Sequence, residues 1–180
     1  GDTLTVGMAW SPTFATGLSM TLDYWKIEID DSINIPSNNV ILAGCFSGSV
    51  PAFCPNVTRF GPESPFYGDI DSILALVQKV GPETAEGIDW SVNYNLNSSI
   101  GLWNFSWLGT YNKKREMLVL KDFDNDGLAT AEIADVVGLH EHRGLGRKKS
   151  FPEWRWRFDT DWSMGDFGLS LSVEFIDSVE

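Results

Sequence analysis

The chain has 180 residues, enough for one domain with a substantial core. A formal net charge of −12 and a pI near 4.4 exclude the basic surface that a nucleic-acid partner requires. No run approaches the roughly 18 apolar residues of a membrane helix, which excludes a helical span and leaves membrane β-strands open.

Thr3 to Trp10 reads as a strand, with Leu4, Val6, Met8 and Trp10 on one face. Alternation is already under way here, so the sequence is expected to start inside a larger chain. After a short connection through Pro12, Gly17 to Ile33 reads as a longer strand whose pattern changes phase. Leu18, Met20, Leu22 and Tyr24 share one parity, while Trp25, Ile27, Ile29 and Ile33 take the other. Either a bulge at Tyr24-Trp25 or a strand passing out of a membrane at an aromatic girdle would produce this change.

Residues 34–69 are rich in Pro, Gly, Ser and Asn and read as a long loop, of a size that is usually functional. Cys45 and Cys54 lie in it, and the loop context favours a disulfide over two free thiols. In an oxidising compartment the bridge would stabilise the loop by roughly 2–3 kcal/mol. Ile70 to Leu96 resumes extended structure, with breaks expected at Gly81-Pro82 and Gly87. Its later part sets Ile88, Trp90, Val92, Tyr94 and Leu96 against Asp89, Ser91, Asn93 and Asn95. Asn97-Ser98-Ser99 is a tight turn, and Leu102 to Tyr111 returns with Trp103, Phe105, Trp107 and Tyr111 on one face. Residues 112–150 form a second long excursion, in which Thr130 to Gly138 has a helical look.

Phe151 to Phe175 carries the longest alternation. Trp154, Trp156, Phe158, Thr160 and Trp162 oppose Arg155, Arg157, Asp159 and Asp161. Beyond Met164-Gly165-Asp166, Phe167, Leu169, Leu171, Val173 and Phe175 oppose Gly168, Ser170, Ser172 and Glu174. This is an antiparallel hairpin with one apolar and one polar face. If the apolar side meets lipid, the arginines must point inward, because Arg on a lipid face costs roughly 2–4 kcal/mol near the midplane.

Connections therefore run short, long, short, long, short. In an antiparallel meander that order collects short turns at one rim and long loops at the other, as in membrane barrels, whereas sandwiches have no reason to sort loop lengths. The fold expectation is all-β: an antiparallel up-and-down meander of about six strands forming an arc of a transmembrane β-barrel. Six strands cannot close such a barrel, since eight is about the minimum.

Several segments also resemble one family. Gly17–Ile33 (G-L-S-M-T-L-D-Y-W-K-I-E-I-D-D-S-I) is similar to an Asp-Tyr-aromatic strand of TonB-dependent receptors. The loop with Cys45 and Phe53-Cys54-Pro55, followed by Val57–Phe60, resembles the disulfide-bearing outer loop of many of them. Thr84–Trp90 (T-A-E-G-I-D-W) and Phe151–Trp156 (F-P-E-W-R-W) resemble two further strands, and all four segments occur in the family's order. The resemblance implies a barrel of about 22 strands with an N-terminal plug, in the outer membrane of a Gram-negative bacterium. It implies import of a scarce large nutrient (an iron-siderophore complex, cobalamin or an oligosaccharide) energised by the TonB complex. Residues 1–180 would then be a partial barrel domain, with plug, earlier strands and final strands lying outside the sequence. The loops near 34–69 and 112–150 would be extracellular and meet a small or medium-sized ligand. Asp89, Asn93, Arg155, Arg157, Asp159 and Asp161 would face the lumen. Trp90, Trp103, Trp154, Trp156, Phe158, Trp162, Leu169 and Leu171 would face lipid.

Little points to catalysis, and the chain is expected not to be an enzyme. Asp159 and Asp161 could suggest a glycosidase pair, yet arginines on the same face should keep both ionised, so a salt-bridge ladder fits better. Asp122, Asp124 and Asp126, with Gly127, have the spacing of an EF-hand loop. The bidentate acid is due at Ile133, and Glu132 comes one position early. Calcium and a solvated acidic turn both remain open, and no other cofactor is implied. His140, Glu141, His142 and Arg143 with Lys148 and Lys149 make a mixed patch whose default is a solvated loop. The alternative to the receptor is a secreted all-β carbohydrate-binding module, disulfide-bonded, with a calcium loop and with tryptophans that stack on sugars.

Overall fold

The computed structural model describes residues 1–121, 130–141 and 149–179. The alternating segments form the expected strands. β1 (Asp2–Trp10) pairs antiparallel with β2 (Leu18–Asn34), from Asp2 opposite Glu28 to Trp10 opposite Met20. The 35–77 excursion contains helix α1 (Asn38–Phe46), a 3₁₀ helix at Pro51–Asn56, and the short strands β3 (Val57–Arg59) and β4 (Ile70–Ile73), which pair with each other. β5 (Gln78–Ser98) and β6 (Gly101–Lys121) are the longest strands, with 21 residues each. β7 (Thr130–Asp135) pairs with the far end of β6, from Glu116 opposite Asp135 to Lys121 opposite Thr130. Two short strands follow, β8 (His140–Glu141) and β9 (Lys149–Ser150), then the long hairpin of β10 (Trp154–Met164) and β11 (Phe167–Ile176).

The main sheet has seven strands in the order β1-β2-β5-β6-β10-β11, with β7 beside β6. It is an all-β, antiparallel up-and-down meander, and it stays open, with β1 and β11 as its outer strands. The turns at 11–17, 99–100 and 165–166 lie at one end, and the excursions after β2 and β6 leave from the other. Gly165 shows how tight the first end is. Its φ of +59° lies in the left-handed region, which a two-residue turn between Met164 and Phe167 requires and glycine adopts without a Cβ penalty.

Four local expectations are corrected. Pairing runs unbroken through Tyr24 and Trp25 on both sides of β2, so no bulge lies there; the irregularities fall at Ile29–Ser32 and Ser32–Ile33. β6 does not stop near Tyr111 but runs on to Lys121, because Met117, Leu118 and Val119 are buried on its extension. β5 begins at Gln78 and passes through Gly81-Pro82, while a register shift does occur at Glu86/Gly87. Thr130 to Asp135 is a strand, since the β6 extension offers it a ladder of hydrogen bonds that an isolated short helix lacks.

The 34–69 segment is more ordered than its composition implies. The Ser37 side chain caps α1 by accepting from the Val40 amide at 3.4 Å, and Val40, Ile41 and Phe53 are fully buried. Gly44 is required, since a Cβ there would lie 2.9 Å from the Phe53 ring. The expected disulfide joins Cys45 on α1 to Cys54 in the 3₁₀ helix, Cα to Cα 4.9 Å. α1 and Phe53 form one small core with Val80, Leu118 and Ala131. A second, of Met117, Val119, Val136 and Phe151, lies on the opposite side of β6. Both cores sit at the long-loop end.

Reducing the Cys45–Cys54 bridge removes roughly 2–3 kcal/mol of loop-closure stabilisation. Amide exchange should then rise across 38–56 while residues 88–96 and 103–111 keep their protection. Equal exchange with and without the bridge would show that packing alone holds the cap.

Candidate functional site

Antiparallel register carries each row of like side chains across the whole sheet. Leu22 faces Trp90, then Gly109, Trp156 and Phe175 on successive strands, and Leu96 faces Trp103, then Trp162 and Leu169. One face is therefore aromatic and aliphatic from β1 to β11. Its rings touch across strands: Trp90–Trp107 centroids are 5.8 Å apart, Tyr111–Trp154 4.4 Å and Trp156–Phe175 5.3 Å. Trp90 lies across Gly109, where a Cβ would sit 2.2 Å from the indole. Among the described residues nothing covers this face. Met8 is 63% exposed, Leu169 67% and Phe167 76%. Soluble monomers rarely leave an apolar patch of this extent open.

Along the strands toward the long-loop end, the same face changes character abruptly. Past Tyr24 on β2 come Lys26 and Glu28, ion-paired at 2.7 Å. Past Ile88 on β5 comes Glu86, which accepts from Tyr24 Oη at 2.9 Å and from Lys113 Nζ at 2.6 Å. Past Tyr111 on β6 come Lys114 and Glu116, paired at 2.8 Å. Further still lies Leu118, covered by α1. The face thus reads apolar, charged, apolar, and among the described residues only the second apolar zone has a protein lid.

Glu86 is the buried member of the charged row. The Lys113 ammonium, then the Tyr24 hydroxyl, hold its carboxyl below the usual carboxylate range, with burial opposing them.

The opposite face carries small polar groups and ion pairs. Arg155 binds Glu174 at 3.0 Å and Arg157 binds Asp159 at 2.8 Å, while Thr110 donates to Asp89 at 2.6 Å and Asn104 to Asn95 at 2.7 Å. The ladder expected there is present in altered form: Arg155 pairs with a glutamate on β11, and Asp161 faces Asn104 and Ser170. Near the rim Glu83, Ser32 and Arg115 form a separate group, with Arg115 to Glu83 at 3.1 Å and Arg115 over the Phe151 ring.

The structure brings Asp89, Asn93, Arg155, Arg157, Asp159 and Asp161 to one face. Trp90, Trp103, Trp154, Trp156, Phe158, Trp162, Leu169 and Leu171 share the other. Asp122, Asp124 and Asp126 lie outside the described residues, as do His142, Arg143 and Lys148. Glu132 is on β7 opposite Val119, on a strand where the calcium-loop pattern calls for a helix. The Tyr24–Glu86–Lys113 group escaped the sequence reading because its members are far apart in the chain. The one available signal was a Lys or Glu interrupting the apolar parity at the same level on three strands. No protein-family model, curated protein or solved structure matches the chain.

A carboxyl held below its unfolded value contributes stability that is present above about pH 4.3 and is lost as pH falls through the folded-state value. Carbon chemical shifts should therefore show Glu86 titrating below the usual glutamate range. Glu86→Gln should flatten the acid loss of rim protection. Titration of Glu86 in the ordinary range would show that the Lys113 contact is not maintained.

Proposed function

We propose that this chain is part of an outer-membrane β-barrel transporter of the TonB-dependent type, with its aromatic face in lipid and its polar face toward a wet lumen. One observation carries the membrane half of this reading: the difference between the two apolar zones on a single sheet face. Where Leu118, Val80 and Ala131 would meet water, a disulfide-bridged helix covers them. Among the described residues the far larger band from Leu22 to Phe175 has no such cover, and a row of ion pairs divides the two. A chain in water gains by covering both, since each buried apolar side chain stabilises by roughly 1.5–3 kcal/mol. Hydrocarbon over the band removes that difference.

The dimensions agree. The apolar stretches Ile88–Leu96 and Trp103–Tyr111 are each about nine residues long, the length of a tilted transmembrane strand. Tyr24, Tyr111 and Trp154 edge the band at the charged row, while Trp10, Trp103 and Trp162 edge it near the short turns, as two aromatic girdles would. On the opposite face Arg155 is paired with Glu174 and Arg157 with Asp159, and Asp89 accepts from Thr110, a polar surface that suits a lumen wall.

The transporter half rests on the family resemblance and on where its segments fall. Gly17–Ile33 coincides with β2, Thr84–Trp90 lies in β5 beside it, and Phe151–Trp156 leads into β10. The disulfide cap joins β2 to β5 at the long-loop end, where an external ligand would be met. In this reading the cargo is a scarce large nutrient, and the chain moves it without chemistry. A secreted carbohydrate-binding module would need a second layer over the aromatic face.

Leu171→Arg should cost roughly 2–4 kcal/mol of stability in bilayers, and Ser170→Arg, on the other face, far less. Indole fluorescence should be quenched by lipids brominated along their acyl chains. A water-soluble, monodisperse, cooperatively folded chain with unquenched indoles would refute the membrane assignment. Loss of nutrient uptake on deleting the gene, restored by the intact protein, tests the transport half.

A further inference from the structure

The aromatic face is not evenly filled. Between the β1–β2 pair and the β6–β10 pair it is hollowed into an open groove of about 440 Å³, lined by Met8, Met20, Leu22, Trp90, Trp154 and Trp156. That volume lies within the range of small-molecule sites, roughly 300–1,000 Å³. Gly109 helps make it, because the missing side chain lets Trp90 lie against β6 instead of standing up between the banks. Nothing polar lines the hollow except Thr21 and the indoles.

At one end the groove meets the charged row. Leu22 is followed on its face by Tyr24 and Lys26, and Trp90 by Ile88 and Glu86. In the Lys113–Glu86 pair of that row the cation is the accessible partner: the Lys113 side chain is 56% exposed and that of Glu86 only 11%. Lys114 and Lys26 stand in the same row, 39% and 35% exposed, beside their partners Glu116 and Glu28 at 32% and 49%. An apolar slot ending at a lysine that stays exposed while its carboxylate partner is buried matches a molecule with a hydrocarbon chain and an anionic head.

We infer that this groove holds one acyl chain of a phosphate-bearing membrane lipid, with its phosphate at Lys113 and its neighbours in the row. The site rests on the membrane reading above, with which the groove is continuous, and adds to it a lipid held in place rather than one exchanging freely. Lysine suits the head, since it binds phosphate as a compact point charge.

The test is native mass spectrometry of the intact polypeptide extracted in mild detergent from its own membrane. A phosphate-bearing lipid should remain bound. Leu22→Trp, which fills the groove, and Lys113→Gln, which removes the most exposed lysine of the row, should each lower the retained fraction about tenfold, the equivalent of one charge-assisted contact. Ser170→Ala, on the polar face, should retain lipid as the parent does. No retained lipid in the parent, equal retention in both groove variants, or a retained lipid lacking phosphate would each overturn the site. A nitroxide at Leu171→Cys separates the two levels of failure. If oxygen dissolved in lipid does not reach it, the membrane reading fails; if oxygen reaches it and no lipid is retained, only the groove assignment fails.

Discussion

Antiparallel pairing in unbroken register is the constraint on which the rest of the structure depends. Side chains in a strand alternate sides, so a sheet whose strands pair without slipping keeps every apolar residue on one surface. From β1 to β11 no slip falls within the apolar band; the irregularities at Ile29–Ser32 and Glu86/Gly87 lie at or past its edge. A one-residue shift of β10 would bring Arg155 and Arg157 to the aromatic side. Register is therefore held by the cost of the wrong face as much as by the ladder itself.

The same constraint explains why the cores are small and displaced. A single layer cannot bury its own apolar face; it needs another layer, a lid or an apolar solvent. Among the described residues a lid is supplied only past the charged row, where α1, Phe53 and the Cys45–Cys54 bridge close over Val80, Leu118 and Ala131. The strand extensions are thus held by ordinary water-driven packing, and the band by whatever covers it. Glu86 marks the border. Its carboxylate draws a tyrosine from the aromatic zone and a lysine from the rim into one group, so the border has a definite height on three adjacent strands.

Both outer strands, β1 and β11, present an open edge, and edges of this length are what natural sheets otherwise blunt or cover. In the barrel reading further strands would pair with these edges. The hollow between β2 and β10 gives the aromatic face a local shape as well as a chemistry, and so a means of favouring one lipid over its neighbours.

Much of this was legible in the chain. Strict alternation fixed the main strands, their faces and the sorting of turn lengths, because a period of two leaves only one way to segregate Trp154, Trp156 and Trp162 from Arg155, Arg157 and Asp159. The tertiary structure alone decided the rest. α1 is too short for its periodicity to stand out among Pro, Ser and Asn, and it exists because Val40 and Ile41 find Leu118 to cover. β7 is a strand because β6 extends to meet it, although Thr130–Gly138 taken alone looks helical. The Tyr24–Glu86–Lys113 group and the tryptophan groove bring together residues from several strands, and proximity across a sheet is set by register between segments, which no single segment encodes.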